Sequence, residues 1–165
     1  MHYFEFAEKD TTLYEASSSL NAGLDEVLEI RKDVSATGGS VDVSRILIKF
    51  DLSFISSSVS SGLITNPKYY LNLFDAKPTE LATSQSLYAY PVSQSWTMGD
   101  GRSYDNPVTS EGCSWTFRFG KINGQLWDSE ISASGATWFS GSGFEASHSF
   151  GHKTRDMRMD VTDIV

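Results

Sequence analysis

The chain has 165 residues, of which 39% are hydrophobic and 13% aromatic, and its formal net charge is −8. This length fits one domain with a packed core, because ordinary domains run from about 50 to 250 residues, and the aromatic content argues against disorder throughout. The acidic balance argues against a nucleic-acid partner, because phosphate groups select basic surfaces.

Cys113 is the only cysteine, so no disulfide can form within the chain and its stability must come from burial. Residues 1–10, MHYFEFAEKD, lack the basic start and the apolar run of a secretory signal. No stretch approaches the roughly 18 apolar residues of a membrane span. We therefore expect synthesis in a reducing cytoplasm without a signal peptide, and no membrane partner.

The first segment with a clear pattern, residues 20–32, allows two interpretations. Its leucines and Val27 form a helical stripe, whereas residues 26–31 also alternate as a strand would. An all-strand context can override helical propensity. We predict a strand over residues 26–31.

The segment RILIKFDLS, residues 45–53, alternates most strictly between charged and apolar side chains. Such a period of two is typical of a strand with one buried face. The apolar positions are predicted to face the core: Ile46, Ile48, Phe50 and Leu52. The charged positions are predicted to line the opposite face: Arg45, Lys49 and Asp51. We expect Asp51 to accept hydrogen bonds where the strand enters a turn, and Arg45 to pair with a carboxylate on a neighbouring strand.

Five later segments repeat the same alternation: residues 68–74, 86–92, 114–119, 144–150 and 157–162. Turn-forming residues separate these runs, and eight or more short strands spaced in this way indicate an antiparallel sandwich or barrel. We predict an all-β fold with few or no helices, arranged as an antiparallel β-sandwich of the jelly-roll type. Residues 1–165 should form a single domain.

Residue patterns for catalysis or metal binding are weak throughout the chain. His148 and His152 share a strand face, but a zinc site lacks a clear fourth ligand. The acidic pairs near turns, Asp128 with Glu130 and Asp100 with Asp105, are typical of solvated surface. No nucleophile motif or phosphate-binding loop occurs. We predict a protein that is not an enzyme and holds no cofactor, with structural calcium at residues 100–106 as the alternative.

Four aromatic residues in or beside turns are candidates for stacking against sugar rings: Trp96, Tyr104, Trp127 and Trp138. Glycan-binding sandwiches carry such rings on an exposed face. The alternative is that these rings close the ends of the sandwich, because large aromatic side chains dominate core energetics.

The order of several segments resembles the DNRLRE-type domain, a jelly-roll family related to alginate-binding carbohydrate modules and found in structural proteins of tailed phages. The segments that carry this resemblance are DTTLYEASSSLNAGLDEVLEI, RILIKFDLS, YYLNLF, LYAYPVSQSWTMGDG, GATW and DVTDIV. The Arg-to-Ser strand at 45–53, the Ser-Trp-Thr at 95–97 and the closing Asp-Val-Thr at 160–162 are its strongest parts. Asp160 thereby joins Arg45 and Asp51 as a residue of the structural framework.

The resemblance implies a binding or structural module in which catalysis belongs elsewhere. Family members commonly continue beyond the Asp-Val-Thr, so the last strand is expected to be absent or supplied by a neighbouring chain. Together with the missing export signal, this points to a virion protein of the capsid, neck, tail or baseplate. Its partners would be other virion proteins or further copies of itself. A carbohydrate-binding module of a receptor-binding assembly is the second interpretation, and a small hydrolase is the third.

Overall fold

The computed structural model describes residues 2–34, 41–76, 84–104, 111–120, 124–128, 134–151 and 156–165. The chain divides into two compact units, each built from two stretches of sequence. Unit 1 comprises Met1–Leu52 and Gln94–Thr137, and unit 2 comprises Ser53–Ser93 and Trp138–Val165. The described residues are predominantly antiparallel β-structure with one α-helix, as the sequence predicts.

Unit 1 contains a three-stranded antiparallel sheet in the order β1-β3-β2. Its strands are β1 (Ala7–Tyr14), β2 (Lys32–Val34) and β3 (Val41–Phe50). Leu13 of β1 lies opposite Arg45 of β3, and β2 pairs with the first three residues of the same strand. The second half of β1 is buried on both faces, because Thr11, Thr12 and Leu13 are all fully covered.

The predicted core face of β3 is wrong in one respect. Leu47, with 4% of its surface exposed, is the most buried apolar side chain of the strand and lies on the face of Arg45 and Lys49. Ile46 and Ile48 on the other face are half-buried. Both faces of the strand are therefore partly covered, because loop segments of unit 1 pack where the alternation alone predicts solvent.

The predicted strand over residues 26–31 does not form, and β2 begins only at Lys32. The carbonyl of Arg31 accepts a hydrogen bond from the amide of Ser44 at 2.9 Å, but two amides of this segment donate to side chains and not to a neighbouring backbone. The amide of Glu29 donates to Thr12 Oγ1 at 3.0 Å, and the amide of Arg31 donates to Ser44 Oγ at 2.7 Å. These hydroxyl groups replace the regular ladder, so the segment is neither helix nor strand.

The predicted strand over residues 114–119 is also wrong, since this part of the chain shows only an isolated bridge between Phe117 and Leu126. Its backbone hydrogen bonds go to several separate segments. The amide of Thr116 donates to the carbonyl of Ser18, and the carbonyl of Trp115 accepts from Gly135. Gln125 and Trp127 supply the two backbone bonds that flank the Phe117–Leu126 bridge, and the other recorded partners belong to separate segments, so this pairing does not extend into a ladder among the described residues.

Unit 2 contains two antiparallel strand pairs. Its strands are β4 (Tyr70–Leu73), β5 (Gln85–Ala89), β6 (Ala146–Phe150) and β7 (Met157–Asp160). β4 pairs with β7 and β5 pairs with β6. The sequence predicts all four strands, and the structure confirms them. Their inward side chains pack around Ala146, Met159 and Val161. A 3₁₀ helix, Thr162–Ile164, follows β7.

Helix α1 (Ser53–Ser60) was not predicted, because its sequence SFISSSVS is rich in residues of modest helical propensity. Ser57 and Ser58 donate their hydroxyl groups to carbonyls one turn back, at 2.8 and 2.9 Å. Gly62 ends the helix with φ +76°. The amide of Leu63 reaches the Ser58 carbonyl and that of Gly62 reaches the Val59 carbonyl, which is a Schellman cap.

Candidate functional site

The described part of the chain brings together no group of three or more His, Cys, Asp or Glu side chains that could hold a metal ion. In the same part, no helix has the length and apolar character to cross a membrane. Several residues weighed for such sites lie outside the described residues: His152, Glu130 and Asp105. The zinc and acidic-pair alternatives that include them therefore stay untested.

Two of the four predicted stacking residues, Trp96 and Trp127, are buried, with 5% and 3% of their surfaces exposed. The Lys9 ammonium lies 4.3 Å above the Trp96 ring, and it donates a hydrogen bond to the Trp96 carbonyl. Trp127 donates from Nε1 to the carbonyl of Ser114 at 2.9 Å. Neither ring offers a free face to a sugar. The expectation of an exposed platform is wrong for both, because unit 1 uses these large rings as core.

The other two predicted stacking residues have accessible rings but belong to different units. Tyr104, in unit 1, is 75% exposed, and its hydroxyl accepts a hydrogen bond from Arg102 Nη1 at 3.1 Å. Trp138, in unit 2, is half-buried, and its ring lies 5.8 Å from that of Tyr90. Within unit 2, Trp138 therefore has an aromatic neighbour, Tyr90, that is not among the four candidates.

Arg45 holds a loop of unit 1 against β3. Its guanidinium lies 4.7 Å from the centre of the Trp115 ring, and its Nη1 donates to the carbonyls of Ser134 and Gly135 at 3.2 and 2.7 Å. Burial lowers the pKa of Arg45, and the charge of Glu15, one residue beyond β1, raises it by less. The guanidinium thus binds main-chain oxygens and an indole, which is a structural role.

The other two framework residues lie at ends of strands. Asp51 is exposed in the link between β3 and α1. Asp160, the last residue of β7, accepts a hydrogen bond from the amide of Thr162 at 3.0 Å, and hydrogen bonds from Thr162 hold the pKa of Asp160 below its ordinary value. The Thr162 hydroxyl in turn accepts from the amide of Tyr69 at 3.0 Å. Asp160 therefore shapes the chain that leaves β7.

Asn21 is a structural centre that sequence reasoning missed. Its side chain is 1% exposed and donates to the carbonyls of Met98 and Cys113 at 2.7 and 2.8 Å. Its Oδ1 accepts from the amide of Gly101 at 2.8 Å. Gly112 leaves room for this contact, since a Cβ there would collide with the Asn21 amide at 2.5 Å. A single asparagine thus joins three loops, and no local pattern in the sequence marks it.

The outward face of the β5–β6 pair carries the exposed ring of Tyr88 and leads to two half-buried rings, Tyr90 and Trp138, among hydroxyl groups. Leu87 and Ala89 of β5 pack into the core, so the alternating Tyr88 points outward and is 53% exposed. Tyr88 lies opposite Ser147 of β6. Farther along, Val92 bridges to Trp138, which brings the Trp138 ring beside Tyr90. We call Tyr88, Tyr90 and Trp138 the aromatic strip.

Polar groups flank the aromatic strip on the neighbouring strand. The Tyr90 hydroxyl donates to the Glu145 carboxylate at 2.5 Å, and this hydrogen bond raises the pKa of Tyr90 to about 12. At the other end of the pair, the hydroxyl groups of Ser86 and Ser149 lie 3.1 Å apart. Glu145, Ser147 and Ser149 are all exposed. The face therefore offers ring surface, hydroxyl groups and one carboxylate together.

A second exposed aromatic surface precedes β1. Tyr3, Phe4 and Phe6 are 55%, 77% and 85% exposed, and we call residues 2–6 the aromatic segment. It leads into β1, which pairs with β3 on one side and lies at the edge of its sheet among the described residues. Residues 7–8 of this strand are exposed. Exposed apolar rings next to an unpaired strand edge are typical of protein-binding surfaces.

Comparisons with protein-family models, with curated proteins and with solved structures find no match. The family resemblance therefore stays a prediction. Two surfaces of the described residues bear on function, the aromatic segment and the aromatic strip. The alternation of residues 86–92 and 144–150 predicts one outward face for each strand, but the pairing of β5 with β6 and the position of Trp138 are visible only in the folded chain.

Proposed function

We propose that this chain is a non-enzymatic structural protein of a tailed-phage virion, a jelly-roll decoration or connector that acts through protein–protein contacts. The observation that carries this proposal is the aromatic segment and its position beside the edge of β1. The resemblance of the sequence to phage structural proteins supplies the biological setting. The surface supplies the physical means of attachment.

Exposed aromatic rings favour burial against a partner. Full burial of a Phe side chain contributes about 1.5–3 kcal/mol, and Phe4 and Phe6 are both more than three-quarters exposed. These two rings flank Glu5. A partner that covers them would gain several kcal/mol of stabilisation before the entropic cost of association is subtracted.

The edge of β1 adds a backbone contribution. Its amide and carbonyl groups at residues 7–8 lie on an exposed part of the strand, and a strand from a neighbouring protein would pair with such groups by adding to the sheet. The net charge of −8 and the acidic residues Glu5 and Glu8 favour a neutral or basic partner surface. These features suit attachment to a different virion protein better than association of identical acidic copies.

The first experiment is mass spectrometry of purified particles from the phage that encodes the chain. We expect the protein at a fixed copy number in washed particles. Its absence from particles, when it is present in the infected-cell lysate, would refute a virion role.

A pair of variants then tests the surface. Phe4→Ser combined with Phe6→Ser should lower incorporation into particles at least tenfold while leaving the melting temperature unchanged, because both rings are exposed. Phe74→Ser is the matched control, since Phe74 is 79% exposed and lies in unit 2. Equal incorporation of the double variant and the control would show that the aromatic segment is not the attachment surface.

A further inference from the structure

We propose that the aromatic strip binds an uncharged polysaccharide, laid across the outward face of the β5–β6 pair. Tyr88, Tyr90 and Trp138 supply ring faces, and Glu145, Ser147 and Ser149 supply hydrogen-bonding groups beside them. This site shares no residue with the aromatic segment and lies wholly within unit 2. It does not depend on a virion role.

The mixture of groups on this face selects the class of ligand. The face of an aromatic ring carries partial negative charge, so it attracts the weakly positive C–H groups on the face of a sugar ring. Hydroxyl and carboxylate groups accept and donate the hydrogen bonds of sugar hydroxyls. A purely apolar ligand would remove the water around the exposed serines of β6 and the Glu145 carboxylate without replacing its hydrogen bonds, which is costly. A carbohydrate satisfies both kinds of surface.

The geometry suits an extended chain. Tyr88 and Tyr90 are two residues apart on the same face, so their attachment points are separated by about 7 Å along the strand direction. Trp138 extends the ring surface beyond Tyr90, since the two ring centres lie 5.8 Å apart. Tyr88, Glu145, Ser147 and Ser149 are all exposed in the described part of unit 2, which suits a polymer laid across a surface. Successive sugars of a polymer would each meet a different ring.

The site is partly fixed before a ligand arrives. The hydrogen bond to Glu145 at 2.5 Å holds the Tyr90 ring, and the half-buried Trp138 packs against it. Groups that are held in place lose less conformational entropy on binding. Tyr88, which is 53% exposed, is left to pack on the sugar.

Charge decides between kinds of polysaccharide. Glu145 is exposed, and it accepts the hydrogen bond of Tyr90 as a carboxylate. A polyuronate or a sulfated chain would meet this negative charge and the net charge of −8. An uncharged chain avoids the repulsion and can donate its own hydroxyl groups to Glu145.

The test is native electrophoresis of the full chain through gels that contain hydroxyethylcellulose, xylan, a mixed-linkage β-glucan or, as the charged comparison, alginate. We expect slower migration in at least one of the three uncharged gels and none with alginate. Tyr88→Ala and Trp138→Ala should each weaken the retardation at least fivefold. Trp138→Phe retains an aromatic ring and should keep most of the retardation. This variant tests the site even if Trp138→Ala fails to fold.

Two exposed aromatic residues that are not part of the aromatic strip serve as matched controls. Tyr104→Ala and Phe74→Ala remove rings that are 75% and 79% exposed and should leave the retardation unchanged. The proposal is overturned if no uncharged gel slows the protein, if alginate slows it most, or if Tyr104→Ala weakens binding as much as Tyr88→Ala. Mass spectrometry of particles tests the virion role independently of polysaccharide binding, so either proposal can be refuted while the other stands.

Discussion

Replacement of Arg45 by alanine should destabilise unit 1 more than any change of an exposed charge on the same strand. The variant removes two hydrogen bonds from a charged donor, to the carbonyls of Ser134 and Gly135, and the contact with the Trp115 ring. A charged hydrogen bond is worth about 1.5–3 kcal/mol and a cation–π contact about 0.5–2 kcal/mol. Because water replaces part of these contacts at a half-buried site, we expect a net loss of about 2–3 kcal/mol.

Urea denaturation followed by tryptophan fluorescence measures this loss, because Trp96, Trp115 and Trp127 are buried in unit 1. With a slope of about 2 kcal/mol per molar urea, the midpoint should fall by about 1–1.5 M. Arg45→Lys keeps the charge without the planar fork, so it should lose about half as much.

Lys49→Ala is the matched control on β3. Lys49 pairs with Glu8 at 2.7 Å, but the two side chains are 51% and 46% exposed, and exposed ion pairs contribute at most about 1 kcal/mol. Its midpoint should therefore shift by less than about 0.5 M urea. If Arg45→Ala shifts the urea midpoint no more than Lys49→Ala does, the contacts of Arg45 with Ser134, Gly135 and Trp115 contribute no measurable stability, which would refute the prediction.

Three further predictions follow from buried or hydrogen-bonded groups. Asn21→Ala should lower the free energy of unfolding by about 3 kcal/mol or more, because the carbonyls of Met98 and Cys113 lose the hydrogen bonds that Asn21 donates. A urea midpoint equal to that of the parent protein would contradict this. Burial raises the pKa of Cys113 from 9.0 to about 12. The folded protein should therefore resist alkylation by iodoacetamide at pH 9, and its free energy of unfolding should fall as the pH rises from 9 towards 12. Rapid labelling of the folded protein would show instead that the thiol is accessible. Hydrogen bonds from Thr162 hold the pKa of Asp160 below 3.8, so the stabilisation that the Asp160 carboxylate gives to the fold is present above pH 3.8 and is lost as the pH falls through the pKa of the folded state. NMR of the Thr162 amide should report this titration, and Asp160→Asn should abolish it.

The sequence by itself determined the class of fold and the strands of unit 2. Alternation with a period of two is a local property, because side chains of any strand point to opposite faces. Residues 68–74, 86–92 and 144–150 therefore predict β4, β5 and β6 correctly. The same pattern separates Leu87 from Tyr88, so it also indicates which rings of β5 point outward.

The tertiary structure alone decided where the same alternation fails. Residues 26–31 and 114–119 alternate as strands do, but their backbone groups bond to side chains or to several separate segments. The sequence leaves Trp96 and Trp127 open between stacking on a surface and burial, and they are core, because burial depends on which distant segments fold over them. Asn21 carries no local signal, since its partners lie 77 to 92 residues away. A ladder needs a partner of matching register, and the identity of that partner is a property of the whole chain.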